Sequence, residues 1–581
     1  MSEARPPLLP IPELKHSISG LLERIQPLVD PVTLEQTRNK ANQFMMMGGA
    51  NLQKELQAYA KEKEPHSWLT NLWQKSYLDY RGSLNYGLNY LTTLDLSKLP
   101  PYESQAQLSA ALVNGLTQAY INIASKSLEG ESGKSGPLCM EQYSYLFAAC
   151  RIPQKDTDKM FCGIKEGFYK NAHIVLFTHG NIYVLQVTNE NGEAYSTQDI
   201  SDVISQLLLQ KDEPEPNIGI LTSSPRDEAT YLYEHLKSLG EGNIRNFEKI
   251  HSAIFALCID TAQNQRSKEQ TAFDQLYGQG VDRWFDKCIQ VIVGGKDENV
   301  GFCNEHTSFD AAIWVSTLLG LNEHMKHANT SGASGIPPAA RLKWATDDTT
   351  NKIIRDMQAG NAARGKELHI KVSPFEEFGA TAIKAVKASP DAFFHLALQL
   401  AYFRQYGTLA STYEAVAMRH FHEGRTECMR PATTAALQFS HAMGDLSQGR
   451  DNLCKLARTA FEQHVAMIGI CQRGDAPERH MAGLEAMLTK TTPLGQAEDI
   501  FEDEGYKTLR HDTISSSGLS ASCMNLFCFA PVVKDGFGIG YIIDSDSIRL
   551  GISCFAERAQ EIDSFTQAMH RALGDLHSLL A

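Results

Sequence analysis

GFCNEHTSFDAAIWVS (residues 301–316) is the stretch on which the reading of this chain turns. Its first residues continue the β-rich character of KCIQVIVGG (287–295), whereas AAIWVS opens an apolar pattern with helical spacing. The junction carries His306, with Glu305 beside it and Asp310 four positions on. A histidine at the end of a strand is held by the sheet and can face a cleft. With an ordinary pKa of about 6.5, most of the ring is neutral at pH 7 and able to accept a proton. A carboxylate such as Asp310 can fix the ring's tautomer, directly or through a counter-ion. The competing reading is a polar turn with a structural histidine.

Around this junction, KCIQVIVGG and NVGFCNE (299–305) predict neighbouring strands and 311–328 a helix. HIVLFTHGNIYVLQV (173–187) predicts a hairpin turning at Gly180-Asn181. NIGILTSSPRDEATYLYEHLKS (217–238) reads as strand, polar turn and helix. Nearer the start, Pro6, Pro7, Pro10 and Pro12 predict extended chain before a helix near 13–28. Residues 32–150 read mostly helical, with turns at Gly48-Gly49 and Pro100-Pro101. NTSGASGIPPAA (329–340) is the best linker. Beyond it, Ser389 and Pro390 open a helix over SPDAFFHLALQLAYFRQY (389–406). MNLFCFAPVVKDGFGIGYIID (524–544) and SIRLGISCF (547–555) alternate like strands around Asp535-Gly536, and 557–580 predict a closing helix. Mixed strands and helices on both sides of a linker predict two α/β lobes.

The bulk properties bound the function. A chain of 581 residues exceeds one simple core. A net charge of −14, spread along the chain without an acidic tail, argues against non-specific nucleic-acid binding, which needs a basic face. Twelve cysteines lacking CxxC or regular spacing predict free thiols. No apolar run reaches the roughly 18–20 residues needed to cross a bilayer. The start, MSEARPPLLPIPEL, lacks the apolar block of a signal peptide, and LHSLLA is not a peroxisomal tail. The expectation is a soluble intracellular protein, cytoplasmic by default, with mitochondrial and peroxisomal locations open, and a monomer.

Several local features carry less. NEHMKH (322–327) spaces His324 and His327 for a metal, but a third ligand is not evident, and a surface helix is the plainer reading. RHFHEGR (419–425) meets the same objection. GFGIG (536–540) lies in a strand-rich run with no helix behind it, so it predicts a hairpin turn rather than a dinucleotide loop. Lys384 and Lys387 precede a helix N-terminus, where backbone N–H groups and the dipole favour anions; the alternatives are a phosphate-bearing ligand or two solvated lysines. SSSGLSAS (515–522) is either a serine-rich loop or a source of a hydroxyl for a developing oxyanion.

Taken together in chain order, FMMMGGANLQKEL, RWFDKCIQVIV, NEHTSFDA, SPDAFFHLALQLAYFRQYG, TYEAVAMRHFHEGRTECMR, ERHMAGL, ISSS and APVVKDGFGIGY resemble the choline/carnitine acyltransferase family, from about residue 8 to the end. The resemblance implies two chloramphenicol-acetyltransferase-like lobes, each a mixed sheet with helices, meeting at an active-site tunnel. One lobe would combine 1–63 with 349–581, and the other, 64–348, would carry the histidine. His306 matches the family's catalytic base, Asp310 and Arg425 its orienting pair, and Ser517 the oxyanion donor that closes the serine motif Ser515-Ser516-Ser517. Acyl-CoA would enter as a co-substrate rather than a resident cofactor, with Lys384, Lys387, Ser389 and Asp391 on its side, and no metal is implied. Tyr413, Thr426 and Arg479 match a carboxylate-binding set that favours carnitine over choline as acceptor, with Ser515 nearby. Phe527 falls where a bulky residue shortens the acyl pocket, which favours acetyl.

The implied reaction is reversible acetyl transfer between CoA and the carnitine hydroxyl without an acyl-enzyme. The alternatives are choline O-acetylation, a medium-chain (octanoyl) carnitine enzyme, or a non-catalytic CoA-binding scaffold. Three departures stand out: Ala380 where the family has lysine, Ala415 where it often has a hydroxyl, and Gly518 where it often has glutamine.

Overall fold

Two mixed sheets, each covered by helices, organise the chain. This computed structural model describes residues 5–134, 136–165, 167, 170–210, 212–261, 266–278, 280–295, 299–327, 332–488 and 500–581. The first sheet has eight strands in the order Ala340–Arg341, Asn181–Gln186, His173–Thr178, Ala256–Ile259, Ile289–Val293, Val300–Asn304, Tyr90–Leu94 and Met524–Phe529. The second has six, in the order Leu368–Phe375, Ile548–Phe555, Phe537–Ile543, Ile514–Gly518, Thr412–Ala417 and Thr426–Met429.

Local sequence explains many of these elements. His173–Thr178 and Asn181–Gln186 pair antiparallel through a two-residue turn. Both turn residues, His179 (φ 53°) and Gly180 (φ 73°), are left-handed, the conformation whose twist suits a tight hairpin. Ile289–Val293 and Val300–Asn304 are antiparallel neighbours, buried along their whole length between helices on both faces. The helix Pro390–Tyr406 starts at its proline and stops at left-handed Gly407 (φ 76°). It buries Phe393, Phe394, Leu396, Leu398 and Leu400 against the second sheet and the closing helix Ile562–Leu580. Each such side chain contributes about 1.5–3 kcal/mol.

Other expectations are corrected. Gly48-Gly49 is not a turn: Pro31–Phe44, the π-helical Met45–Gly49 and Ala50–Lys63 run on as one helical path. A Cβ on Gly49 would lie 2.8 Å from the Phe44 ring, so this glycine serves packing rather than chain reversal. The apolar run Ile218–Ser223 is a buried 3-10 segment, not a strand; a short apolar run does not distinguish the two. Tyr90–Leu94, read within a helical region, is a strand near the edge of the first sheet. The linker ends as the edge strand Ala340–Arg341, while 329–331 lie outside the described residues.

The GFGIG reading also changes. Met524–Phe529 and Phe537–Ile543 do not form a hairpin. Met524–Phe529 pairs with Tyr90–Leu94 in the first sheet, and Phe537–Ile543 lies in the second. The crossing explains the glycines. A Cβ on Gly540 or Gly551, which are register partners, would lie 2.2 or 2.3 Å from the Phe527 carbonyl. Only glycine lets the two sheets approach this closely.

Candidate functional site

His306 sits where the sequence placed it, between Val300–Asn304 and the helix Ala311–Lys326. Its Nδ1 is 2.9 Å from the Phe309 carbonyl. A carbonyl only accepts, so Nδ1 carries the hydrogen and Nε2 keeps its lone pair. Burial pushes the ring's pKa below the ordinary histidine value; Asp310 opposes this and Arg425 assists it. The ring stays neutral through the physiological range and presents a proton acceptor. Tyr77 and Tyr90 face it edge-on at 5.6 and 5.4 Å between centroids.

Asp310 acts on this ring differently from the direct pairing considered above, because the Phe309 carbonyl occupies Nδ1. Arg425 Nε donates to both Asp310 oxygens at 3.1 and 3.0 Å, its Nη1 to the Thr307 carbonyl at 2.7 Å, and its Nη2 to the His306 carbonyl at 3.1 Å. Gln142 completes the clamp, donating through Nε2 to Asp310 Oδ2 and accepting from the Asp310 N–H. The pair fixes the backbone that supplies the Phe309 carbonyl. Glu305 turns away, accepting from Thr307 and lying 3.7 Å from Arg151. Arg151 also donates to the carbonyls of Leu78 and Tyr80, tying the end of the Tyr77 helix to the histidine loop. Gln142 and Arg151 are distant in sequence, and no motif announces them.

The acceptor-side residues converge on one guanidinium. Arg479 is 7% exposed, in the helix Pro477–Ala486. Its Nε donates to the Thr426 carbonyl at 2.9 Å and its Nη2 to the Tyr413 hydroxyl at 2.8 Å, with Thr426 Oγ1 at 3.5 Å. Its Nη1 makes no hydrogen bond, and its guanidinium no ion pair, among the described residues. Glu427 is close, but its Oε1 accepts from the Cys428 and Arg479 backbone N–H groups, and burial pushes its carboxyl up to about 7. Trp73, which sequence reasoning missed, lies under the Arg479 guanidinium at 3.9 Å and edge-on to Tyr77 at 5.5 Å. Trp73 and Tyr77 are one helical turn apart and bridge from His306 to Arg479. This is a buried cation beside an aromatic wall, with polar hydroxyls at its rim.

The serine segment is a strand, Ile514–Gly518, rather than a loop. Alternation sends Ser515 and Ser517 to one face and Ser516 to the other. Ser515 is the register partner of Tyr413, and Ser517 of Gly540. Neither Ser515 nor Ser517 has a side-chain hydrogen bond among the described residues. Ser516 donates to the Tyr413 carbonyl at 2.9 Å. Gly540 packs on the Phe527 backbone, and the Phe527 ring, 3% exposed, stands edge-on to Tyr90 at 6.0 Å. A chain of contacts therefore leads from Ser517 through Phe527 and Tyr90 to His306.

On the remaining side, Lys384 and Lys387 are exposed just before the helix Pro390–Tyr406, and Lys387 is left-handed (φ 57°). Arg458 donates to the Lys387 carbonyl at 2.9 Å and adds a cation that spacing does not reveal. Ser389 precedes the helix without capping it through its side chain. Asp391 is engaged on both oxygens, by Tyr541 at 2.6 Å and His464 at 2.9 Å. His324 bonds Asn114, a structural role, while His422 and Glu423 lie near His66 at the surface. No described helix is long and apolar enough to cross a membrane.

Comparison with known proteins places this geometry. The family model described as Choline/Carnitine o-acyltransferase matches residues 9–571. Carnitine O-acetyltransferase of Homo sapiens is 29% identical over 99% of this chain and 93% of that protein. Carnitine O-palmitoyltransferase 2, mitochondrial, of Xenopus tropicalis is 28% identical over 99% of this chain and 92% of that protein. Choline O-acetyltransferase of Sus scrofa is 27% identical over 95% of this chain and 89% of that protein. By their names these relatives differ in acceptor and in acyl chain, so near-equal identities select neither.

Proposed function

Because this chain belongs to the choline/carnitine O-acyltransferase family, we propose that it transfers a short acyl group, acetyl, between CoA and the hydroxyl of carnitine. The observation that carries the choice of acceptor is the Arg479 guanidinium, buried and without a carboxylate partner among the described residues. A buried cation without a direct ion pair is costly. Carnitine brings a carboxylate to it and choline does not. The hydroxyls of Tyr413 and Thr426, both within 3.5 Å of Arg479 Nη2, support the same reading.

In this mechanism the acceptor hydroxyl donates its proton to His306 Nε2 while its oxygen attacks the thioester carbonyl. The C–O bond forms, and the carbonyl oxygen takes negative charge next to Ser517, whose hydroxyl donates to it. The tetrahedral adduct collapses, the C–S bond breaks, and the CoA thiolate takes the proton back from the imidazolium. The reverse transfer uses the same groups. Asp310 and Arg425 are positioning residues, since they hold the loop rather than the ring. Lys384 and Lys387, with Ser389, are proposed for the phosphate-bearing end of CoA. The Phe527 ring supports a shallow acyl pocket.

The proposed division into 1–63 with 349–581, and 64–348, is supported by the packing of the N-terminal helices on 418–488 and 500–509, with Trp68 and Leu69 at the boundary. Met524–Phe529 crosses it by pairing with Tyr90–Leu94, and Ile354, Met357 and Leu368 pack across it as well.

The test is a comparison of initial rates with carnitine and choline, then with acetyl- and octanoyl-CoA, read as thiol release. Faster turnover of choline overturns the acceptor assignment; faster turnover of octanoyl-CoA overturns the acyl assignment.

A further inference from the structure

Behind the serine strand, four ligating side chains from three elements meet. Asp391 and His395 lie one turn apart on Pro390–Tyr406, Glu414 on Thr412–Ala417, and His464 on Arg450–Gln472. Their ligand atoms all lie within 4.8 Å of one another. Spacing alone could not show this set, and the sequence reading implied no metal.

The Ser516 hydroxyl has one hydrogen, which goes to the Tyr413 carbonyl, so Ser516 Oγ can accept from His395 Nε2 at 3.1 Å. His395 Nδ1 also faces the Asp391 backbone carbonyl at 3.2 Å, so each ring nitrogen has an oxygen in hydrogen-bond range, and a bound cation would require the hydrogen on Nε2. Nδ1 lies 3.7 Å from Asp391 Oδ1 and 3.6 Å from Glu414 Oε2. Glu414 is 6% exposed, and its Oε2 has no hydrogen-bond partner among the described residues. His464 Nε2 is 2.9 Å from Asp391 Oδ2 and 3.9 Å from Glu414 Oε2.

We propose that Asp391, His395, Glu414 and His464 form a site for one divalent transition cation, zinc being the fitting ion. Two imidazoles and two carboxylates are a set zinc accepts, and ligands about 2.0 Å from a tetrahedral ion lie about 3.3 Å apart, close to the observed separations. The dication balances the two carboxylate charges that burial would otherwise penalise. The outer contacts are built as well: Ser516 Oγ faces His395 Nε2 at 3.1 Å and the Tyr541 hydroxyl holds Asp391 Oδ1 at 2.6 Å. Gly518 belongs to this arrangement, because a Cβ there would lie 2.6 Å from the Tyr541 ring. The Asp391 side chain, 33% exposed, provides the way in. The assignment stands on this geometry and not on the acyl-transfer reading.

The experiment uses the full chain carrying His66→Ala, which removes the surface His66–His422–Glu423 group from competition. After chelator dialysis, zinc is titrated against a chromophoric competitor. One site per chain is expected. Tyr541→Phe should weaken it about 10- to 100-fold, and His464→Gln and Glu414→Gln should weaken it further. X-ray absorption of the zinc-loaded chain without those variants should show nitrogen and oxygen ligands and no sulfur, which keeps the test valid if a variant fails to fold. No saturable zinc binding, affinity unchanged by His464→Gln and Glu414→Gln, or sulfur ligation by any of the twelve cysteines would overturn the assignment.

Discussion

Replacing Arg479 with asparagine isolates the acceptor assignment. The guanidinium is buried, donates to the Thr426 carbonyl and Tyr413 hydroxyl, and stacks over Trp73. If it also binds the carnitine carboxylate, the variant loses a charge-assisted hydrogen bond that contributes about 1.5–3 kcal/mol. At 1.4 kcal/mol per tenfold, the carnitine KM should rise about 10- to 150-fold. Choline has no carboxylate, so its KM should change little, and carnitine's advantage over choline should shrink by the same factor. The CoA KM should hold, because the proposed CoA contacts lie on the other side of the serine strand.

The assay is thiol release under saturating acetyl-CoA with each acceptor in turn, followed by a CoA titration at fixed acceptor. Loosening of Tyr413 or Trp73 alone would raise both acceptor KM values together. Equal losses for carnitine and choline, or a CoA KM that rises in step, would refute a carboxylate contact at Arg479.

Four further outcomes follow from the same geometry. His306→Ala should lower kcat/KM about 10²- to 10⁴-fold, and the wild-type acid limb should fall below the ordinary histidine range, because burial lowers this ring's pKa; activity unchanged in the variant would remove the proposed base. Ser517→Ala should cost about 10²- to 10³-fold in kcat with little change in KM, and a KM effect alone would make Ser517 a binding residue. Phe527→Ala should raise the octanoyl-to-acetyl rate ratio while costing about 3–5 kcal/mol of stability; an unchanged ratio in folded protein would show that this ring does not limit the acyl pocket. Burial holds His251 at about 3 and His480 at about 4, against an ordinary 6.5. The unfolded chain then binds more protons between those values, so stability present above pH 6.5 is lost as pH falls toward 4. Each ring contributes a slope of up to about 1.4 kcal/mol per pH unit, and denaturant midpoints independent of pH over that window would refute it.

The sequence disclosed those parts of the site that lie on continuous local patterns. His306 was legible because a β-rich run ending at Asn304 and an apolar helix meet at a polar junction. The helix from Pro390 was legible because its proline and Gly407 punctuate a strong apolar run. What escaped was contact between distant segments. Trp73 reads as one more aromatic on a helix until Arg479, roughly four hundred residues on, is found over its ring. Gln142 holds the histidine loop from a region read as helical, and Arg151 does so from just beyond it. Asp310 was correctly paired with Arg425, yet the atom that sets the histidine tautomer is a backbone carbonyl, which side-chain patterns do not encode. The cluster of Asp391, His395, Glu414 and His464 shows an i, i+4 pair in sequence and nothing of its other half.

The crossing strand shows why the misread GFGIG matters to function. Alternating glycines in a strand usually weaken it, and a local reading turns them into a bend. Here Gly540 and Gly551 sit side by side in the second sheet and accept the Phe527 backbone of the first. That contact brings Ser517, one strand from Gly540, to the same end of the molecule as Tyr90 and His306. A side chain at either glycine would push the sheets apart and separate the proposed base from the proposed oxyanion donor. Both groups are rigidly held within their own sheets, so the distance between them is set by how closely the sheets approach. The absence of two Cβ atoms is therefore a structural condition for the proposed chemistry, alongside the proposed base and oxyanion donor.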